Sequence, residues 1–268
     1  MKKYFKVFIT IVLLNSGISV FAQHNAMVKE EPVTYTSNGV TLKSFVYYKE
    51  SQKGKRPAIV VIPEWWGNNE YSKMRAHKLA ELGYIAIATD FYGEDKIASD
   101  PKEAQELATP FYKDAQLGES RMLAAIAKLK EFPQTDVNKI AAIGYCFGGS
   151  MVLNAAVLGT PELKGVVSFH GGLSAVPLAT AGSVKSKILI CHGEADKFVP
   201  PADVSRFESN LDSVNVPYTF IAYANATHAF TNPASTETGK KFSMPIEYNE
   251  AADNKSWNDM KEFFKKIF

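Results

Sequence analysis

The chain has 268 residues, 46% hydrophobic and 22% charged, with 30 basic and 28 acidic side chains. That composition excludes a disordered polyelectrolyte and suits one α/β domain or two small ones. The near balance of charge also excludes a field strong enough to recruit nucleic acid or an anionic membrane.

Residues 1–22, MKKYFKVFITIVLLNSGISVFA, carry a basic start, an apolar middle and small-residue spacing at Val20 and Ala22. This pattern predicts a secretory signal peptide cut before Gln23. Asn15 and Ser16 interrupt the apolar run, which falls short of the ~20 apolar residues a spanning helix needs. The expected product is exported, periplasmic or extracellular, with no stable membrane insertion after cleavage. Export implies an oxidising compartment, in which Cys146 and Cys191 could pair.

Residues 23–31 read as a polar leader, and 32–268 as one domain. The stretch VTYTSNGVTLKSFVYY alternates around Asn38–Gly39, a hairpin signal. Short apolar runs then alternate with helical patterns. AIVVI (58–62) precedes a helix near 72–82, and YIAIAT (84–89) precedes a long helical region through Leu129. KIAAIGY (139–145) leads into a helix from Phe147. GVVSFH (165–170), KILICH (187–192) and YTFIAY (218–223) follow. A last helix places Trp257, Met260, Phe263, Phe264 and Ile267 on one face. Strands alternating with helices predict an α/β fold, a mostly parallel central sheet with helices on both faces. Ligands bind such sheets at the carboxyl ends of strands.

One strand end reads IGYCFGGS. Strand, Gly144-Tyr145-Cys146-Phe147-Gly148-Gly149, then helix is the nucleophile-elbow pattern with cysteine as nucleophile. The glycines allow strand and helix to approach closely. The helix N-terminus favours a thiolate, and the Phe147 amide is placed to donate to an oxyanion. The competing reading is a buried structural cysteine. In the order expected after the nucleophile, Asp196 follows a strand in ILICHGEADKFVP and His228 follows the next in FIAYANATHAFTNP. His170 also ends a strand and would line the pocket, but it precedes Asp196. His192 reads as support for the Asp196 loop. His24 and His77 read as solvent-exposed.

Taken together, PEWWG, ATDFYG, GYCFGG, HGEADKFVP and ATHAF resemble the dienelactone hydrolase family of the α/β-hydrolase fold, over the span from about Pro57 to the C-terminus. The resemblance implies a Cys146–His228–Asp196 triad that hydrolyses a small ester or lactone through a thioester, without cofactor or metal. It implies that Glu64 contacts the resting thiol and gives way to substrate, and that the Trp65 amide joins that of Phe147 in the oxyanion hole. A carboxylate beside the sulfur would keep it protonated and protect it from oxidation. The fold also places Cys191 two strands from Cys146. At ~4.8 Å per strand the separation is roughly 10 Å, beyond the ~7 Å reach of a disulfide. Two free thiols are therefore expected, Cys191 in the core.

The sequence also departs from the family. Arginines that bind a substrate carboxylate in the dienelactone-cleaving members are expected where this chain has Glu94 and Asn232. Lys96 or Arg121 are the available substitutes. Aromatic residues fill the candidate pocket loops: Trp65, Trp66, Phe91, Tyr92, Phe147 and Phe230. Of these Trp66, Tyr92 and Phe230 join His170 as expected pocket residues. The alternative to a hydrolase is a non-catalytic small-molecule binder on the same scaffold. A thiol-redox protein is disfavoured because no C-x-x-C pair is present.

Overall fold

The computed structural model describes Met1 and residues 27–268. The signal-peptide reading therefore lies, Met1 apart, outside the described residues, as does His24.

Strands β1 (Val28–Ser37) and β2 (Val40–Lys49) form the hairpin, turning at Asn38 and Gly39 with φ of 50° and 75°. Positive φ at both positions is what a tight two-residue hairpin turn requires, and Asn-Gly supplies it. β1 starts at Val28, inside the stretch read as a polar leader. The correction has a physical cause. Glu30 and Glu31 accept hydrogen bonds from the Tyr47 and Tyr48 hydroxyls of β2, each at 2.7 Å. Charged residues are at home on such an edge strand.

The remaining strands are β3 (Arg56–Ile62), β4 (Ile85–Ala88), β5 (Thr135–Tyr145), β6 (Leu163–Phe169), β7 (Lys187–Gly193) and β8 (Tyr218–Tyr223). The sheet order is β1-β2-β4-β3-β5-β6-β7-β8. Pairings from β4 through β8 are parallel; β1–β2 and β2–β4 are antiparallel. Successive strand residues alternate between two cores. Val60, Ile62, Ala142 and Val166 face one; Ile59, Val61, Ile143 and Val167 face the other. Both faces of the sheet centre are covered, which explains the continuous apolar runs of β3, β4, β6 and β7.

Helices α2 (Pro101–Lys113), α3 (Ala115–Lys130), α4 (Phe147–Leu158) and α5 (Pro201–Ser213) bury residues in the first core. Helices α1 (Glu70–Glu81) and α7 (Glu250–Ile267) bury residues in the second. A short helix, α6 (Ser235–Phe242), precedes α7. The long helical region through Leu129 divides at Asp114, whose carboxylate accepts from the Gln116 and Leu117 amides and starts α3 afresh. On α7, Met260 and Phe264 are fully buried. Gly165 makes room for this helix: a Cβ there would sit 2.5 Å from Ile267 Cδ1.

Both cysteines are free, Cys191 buried and Cys146 partly accessible. The register pairs Tyr145 with Phe169 and Phe169 with Cys191, so β6 stands between the two thiols. Burial pushes the Cys191 thiol up to about 12, which leaves it inert.

Candidate active site

The carboxyl end of β5 meets the N-terminus of α4 at Cys146, held at φ 53°, ψ −114°. A non-glycine residue there is strained and persists only where its surroundings hold it. Two groups do so. The Cys146 amide donates to Phe169 O at 3.0 Å and to His170 Nδ1 at 3.1 Å. The glycines are compelled by close approach: a Cβ on Gly144 would fall 2.0 Å from Gly148 O, and one on Gly148 2.3 Å from Ile62 O.

His228, in the loop after β8, and Asp196, in the loop after β7, come together. His228 Nδ1 bonds Asp196 Oδ2 at 2.7 Å, with both residues buried. Asp196 Oδ1 accepts from the Phe198 amide at 2.8 Å. Burial opposes ionisation of Asp196, but the His228 hydrogen bond and charge outweigh it and hold the carboxyl below its usual range. Burial likewise disfavours charge on His228, yet the Cys146 sulfur and the Asp196 carboxylate raise the imidazole well above its usual range. His192, near the end of β7, is buried against Phe220, ring centroids 5.5 Å apart.

Glu64 follows β3 and Pro63 and is 3% exposed. Its hydrogen-bond partner is Asn232, whose Nδ2 donates to Oε2 at 2.7 Å, rather than the thiol expected from the resemblance. Burial raises its carboxyl from 4.5 to about 7, against the opposing effects of Asn232, His228 and Arg75. The folded protein thus holds a proton that the unfolded chain releases as pH passes 4.5. Stability from this site is present in full below about 4.5 and falls as pH rises towards 7. Glu64→Gln removes the titration. The variant is expected to match wild type at pH 5 and exceed it at pH 8, by ~3 kcal/mol at most. Thermal melts of both proteins across that range check this; a difference independent of pH would mean Glu64 titrates normally.

Behind the elbow lies a buried polar chain that the sequence reading missed. Because His170 Nδ1 accepts from Cys146, its Nε2 carries the proton and donates to Thr231 Oγ1 at 2.7 Å. Thr231 Oγ1 also meets the Tyr71 hydroxyl at 2.5 Å. Arg75 donates to Thr231 O and to Asp253 Oδ1, the latter at 2.6 Å. Burial, then the positive fields of His228 and Arg75, push His170 well below the usual imidazole range, so it stays neutral. It supports the elbow and is unsuited to act as a base.

Cys146, His228 and Glu64 open into one cavity of about 370 Å³, lined also by Trp65, Trp66, Tyr112, Phe147, Phe198 and Met244 among others. Trp66 is a wall residue, as expected. Three expected pocket residues are not. His170 is fully buried behind Cys146. Phe230 lies beneath His170, ring centroids 5.2 Å apart, and Tyr92 sits behind Phe147 with its hydroxyl on Trp65 O at 2.9 Å. Phe198, exposed by 49%, meets the His228 ring edge-on at 5.2 Å; its place two residues after Asp196 was the available signal. Among the described residues, the Phe147 and Trp65 amides have no internal acceptor, so both are free to donate into the cavity. Neither substitute cation lines it: Arg121 is buried and bound to Ser37 O, and Lys96 lies elsewhere. Glu94 pairs with Lys43 at 3.1 Å. Among the described residues no cluster of three or more His, Cys, Asp or Glu side chains could hold a metal ion, and no helix is long and apolar enough to cross a membrane.

The model of the dienelactone hydrolase family matches residues 42–268. A solved dienelactone hydrolase-like promiscuous phosphotriesterase from metagenomic libraries is 31% identical, with a TM-score of 0.82, covering 90% of this chain and 99% of that one. A relative from Aquifex aeolicus named for carboxymethylenebutenolidase activity is 27% identical over 204 residues, 75% of this chain and 86% of its own. Another, protein usf of Aquifex pyrophilus, is 26% identical over 238 residues, 87% of this chain and 97% of its own.

Proposed function

The chain belongs to the dienelactone hydrolase family and is a carboxylic ester or lactone hydrolase, and from that premise we propose that Cys146 is its nucleophile. The observation that carries the reading is a strained cysteine at a helix N-terminus sharing one cavity with a buried His228–Asp196 pair. His228 Nε2 takes the thiol proton as the sulfur attacks the carbonyl carbon. The amides of Phe147 and Trp65 stabilise the resulting oxyanion. Collapse breaks the ester C–O bond, and the imidazolium protonates the departing oxygen, leaving a thioester. His228 then removes a proton from water, which attacks the thioester and releases the acid and the thiol. Asp196 keeps the imidazole in the required tautomer throughout. Glu64, bound to Asn232, leaves the sulfur to His228.

Mass spectrometry after a rapid acid quench with p-nitrophenyl acetate tests the nucleophile. One acetyl group on the peptide containing Cys146 is the expected result. Acetylation of another residue instead would remove the assignment.

The similarity to a protein named as a promiscuous phosphotriesterase favours a second reading for the same nucleophile, attack on uncharged phosphate triesters. Export is also proposed, supported by the basic start, apolar run and small-residue spacing of residues 1–22. A mature N-terminus at Gln23 supports it, and a chain retaining Met1 in the cytoplasm overturns it.

A further inference from the structure

The wall around the thiol is mostly aromatic and aliphatic, Trp65, Trp66, Phe198 and Met244 among its members, with Gln105, Ser150 and Ser174 as neutral polar ones. Among the described residues that line the cavity there is no lysine or arginine. Its one carboxylic acid, Glu64, is buried, and the hydrogen bond holding it comes from Asn232, a neutral donor. Arg75, whose field reaches Glu64, is committed to Asp253 and Thr231 O. The positive end of His228 is committed to Asp196. A carboxylate entering this cavity would shed its water, face Glu64 and gain no counter-ion. An unpaired charge taken out of water is costly and is repaid only by a partner. An uncharged ester meets the same wall without that loss, and its apolar part gains by burial.

We propose that the site takes its substrates as uncharged molecules, esters or lactones with an apolar acyl part, and excludes those whose acyl part carries a carboxylate into the cavity. This rests on the hydrolase reading above and narrows it. Discrimination is built into the wall composition rather than into any single specificity residue.

The test compares p-nitrophenyl hexanoate with mono(p-nitrophenyl) adipate, which share a chain length and differ in a terminal methyl against a carboxylate. The expected kcat/KM ratio for wild type at pH 8 is about 100-fold in favour of the hexanoate. A ratio below about tenfold overturns the proposal. Gln105→Arg places a cation at the cavity wall from an exposed position on α2 and is expected to narrow the ratio. No narrowing would put the discrimination outside this cavity and overturn the assignment. The hydrolase reading fails separately, if wild type turns over the hexanoate no faster than Cys146→Ala.

Discussion

Replacing Cys146 with alanine is expected to lower kcat for p-nitrophenyl acetate by about 10⁴-fold or more. Alanine keeps the Cβ, so the strained backbone at φ 53° and the two bonds from its amide are retained. What disappears is the sulfur, and with it the thioester route. Any residual rate would come from the free amides of Phe147 and Trp65 and from His228 acting on water. The melting temperature should change little, because Cys146 is only partly buried. Equal rates for the two proteins would exclude Cys146 as nucleophile.

Asp196→Asn carries the second large effect, a fall in the acylation rate of about 10³ to 10⁴-fold. The reason is a count of acceptors. Asp196 uses one oxygen for the Phe198 amide and the other for His228 Nδ1. Asparagine has a single oxygen. If it serves Phe198, its NH₂ group faces the imidazole and forces the proton onto Nε2, the nitrogen that must accept from the thiol. If it serves His228, an NH₂ group faces the Phe198 N–H inside a buried site, and the carboxylate charge that holds the imidazolium is still lost. Single-turnover release of p-nitrophenol measures the step. A loss of less than about tenfold would show that His228 is oriented by something other than Asp196.

The central strands were legible because burial on both faces leaves a continuous apolar run, and the edge strand β8 because its residues are β-branched and aromatic. YTFIAY matches β8 residue for residue, and AIVVI lies inside β3. The elbow was legible because its glycines answer to close contacts that leave no room for a Cβ. Helices α5 and α6 were not read. Each buries only two residues, Phe207 and Leu211 in one, Ser235 and Gly239 in the other, so little periodicity marks them. Strand ends indicated which residues stand near the site but not which side of the sheet each side chain takes. That is why His170 and Phe230 fall behind the elbow, and why Tyr92 turns towards Phe147. The job of Asn232 was hidden for another reason. Its position in HAFTNP was visible, but a partner 168 residues away is fixed only by the folded sheet.

That 168-residue span has a kinetic side. Closing a long loop costs entropy that rises with the logarithm of its length, and parallel strands far apart in sequence pair late. During synthesis the sulfur is made well before its base. A chain whose β7 and β8 have not docked therefore carries Cys146 without Asp196, His228 or a seated Glu64. Turnover would then report completed folding more sharply than helix content does, and it should be the last signal to return on refolding. A hydrolase built this way stays chemically silent until its C-terminal strands are home.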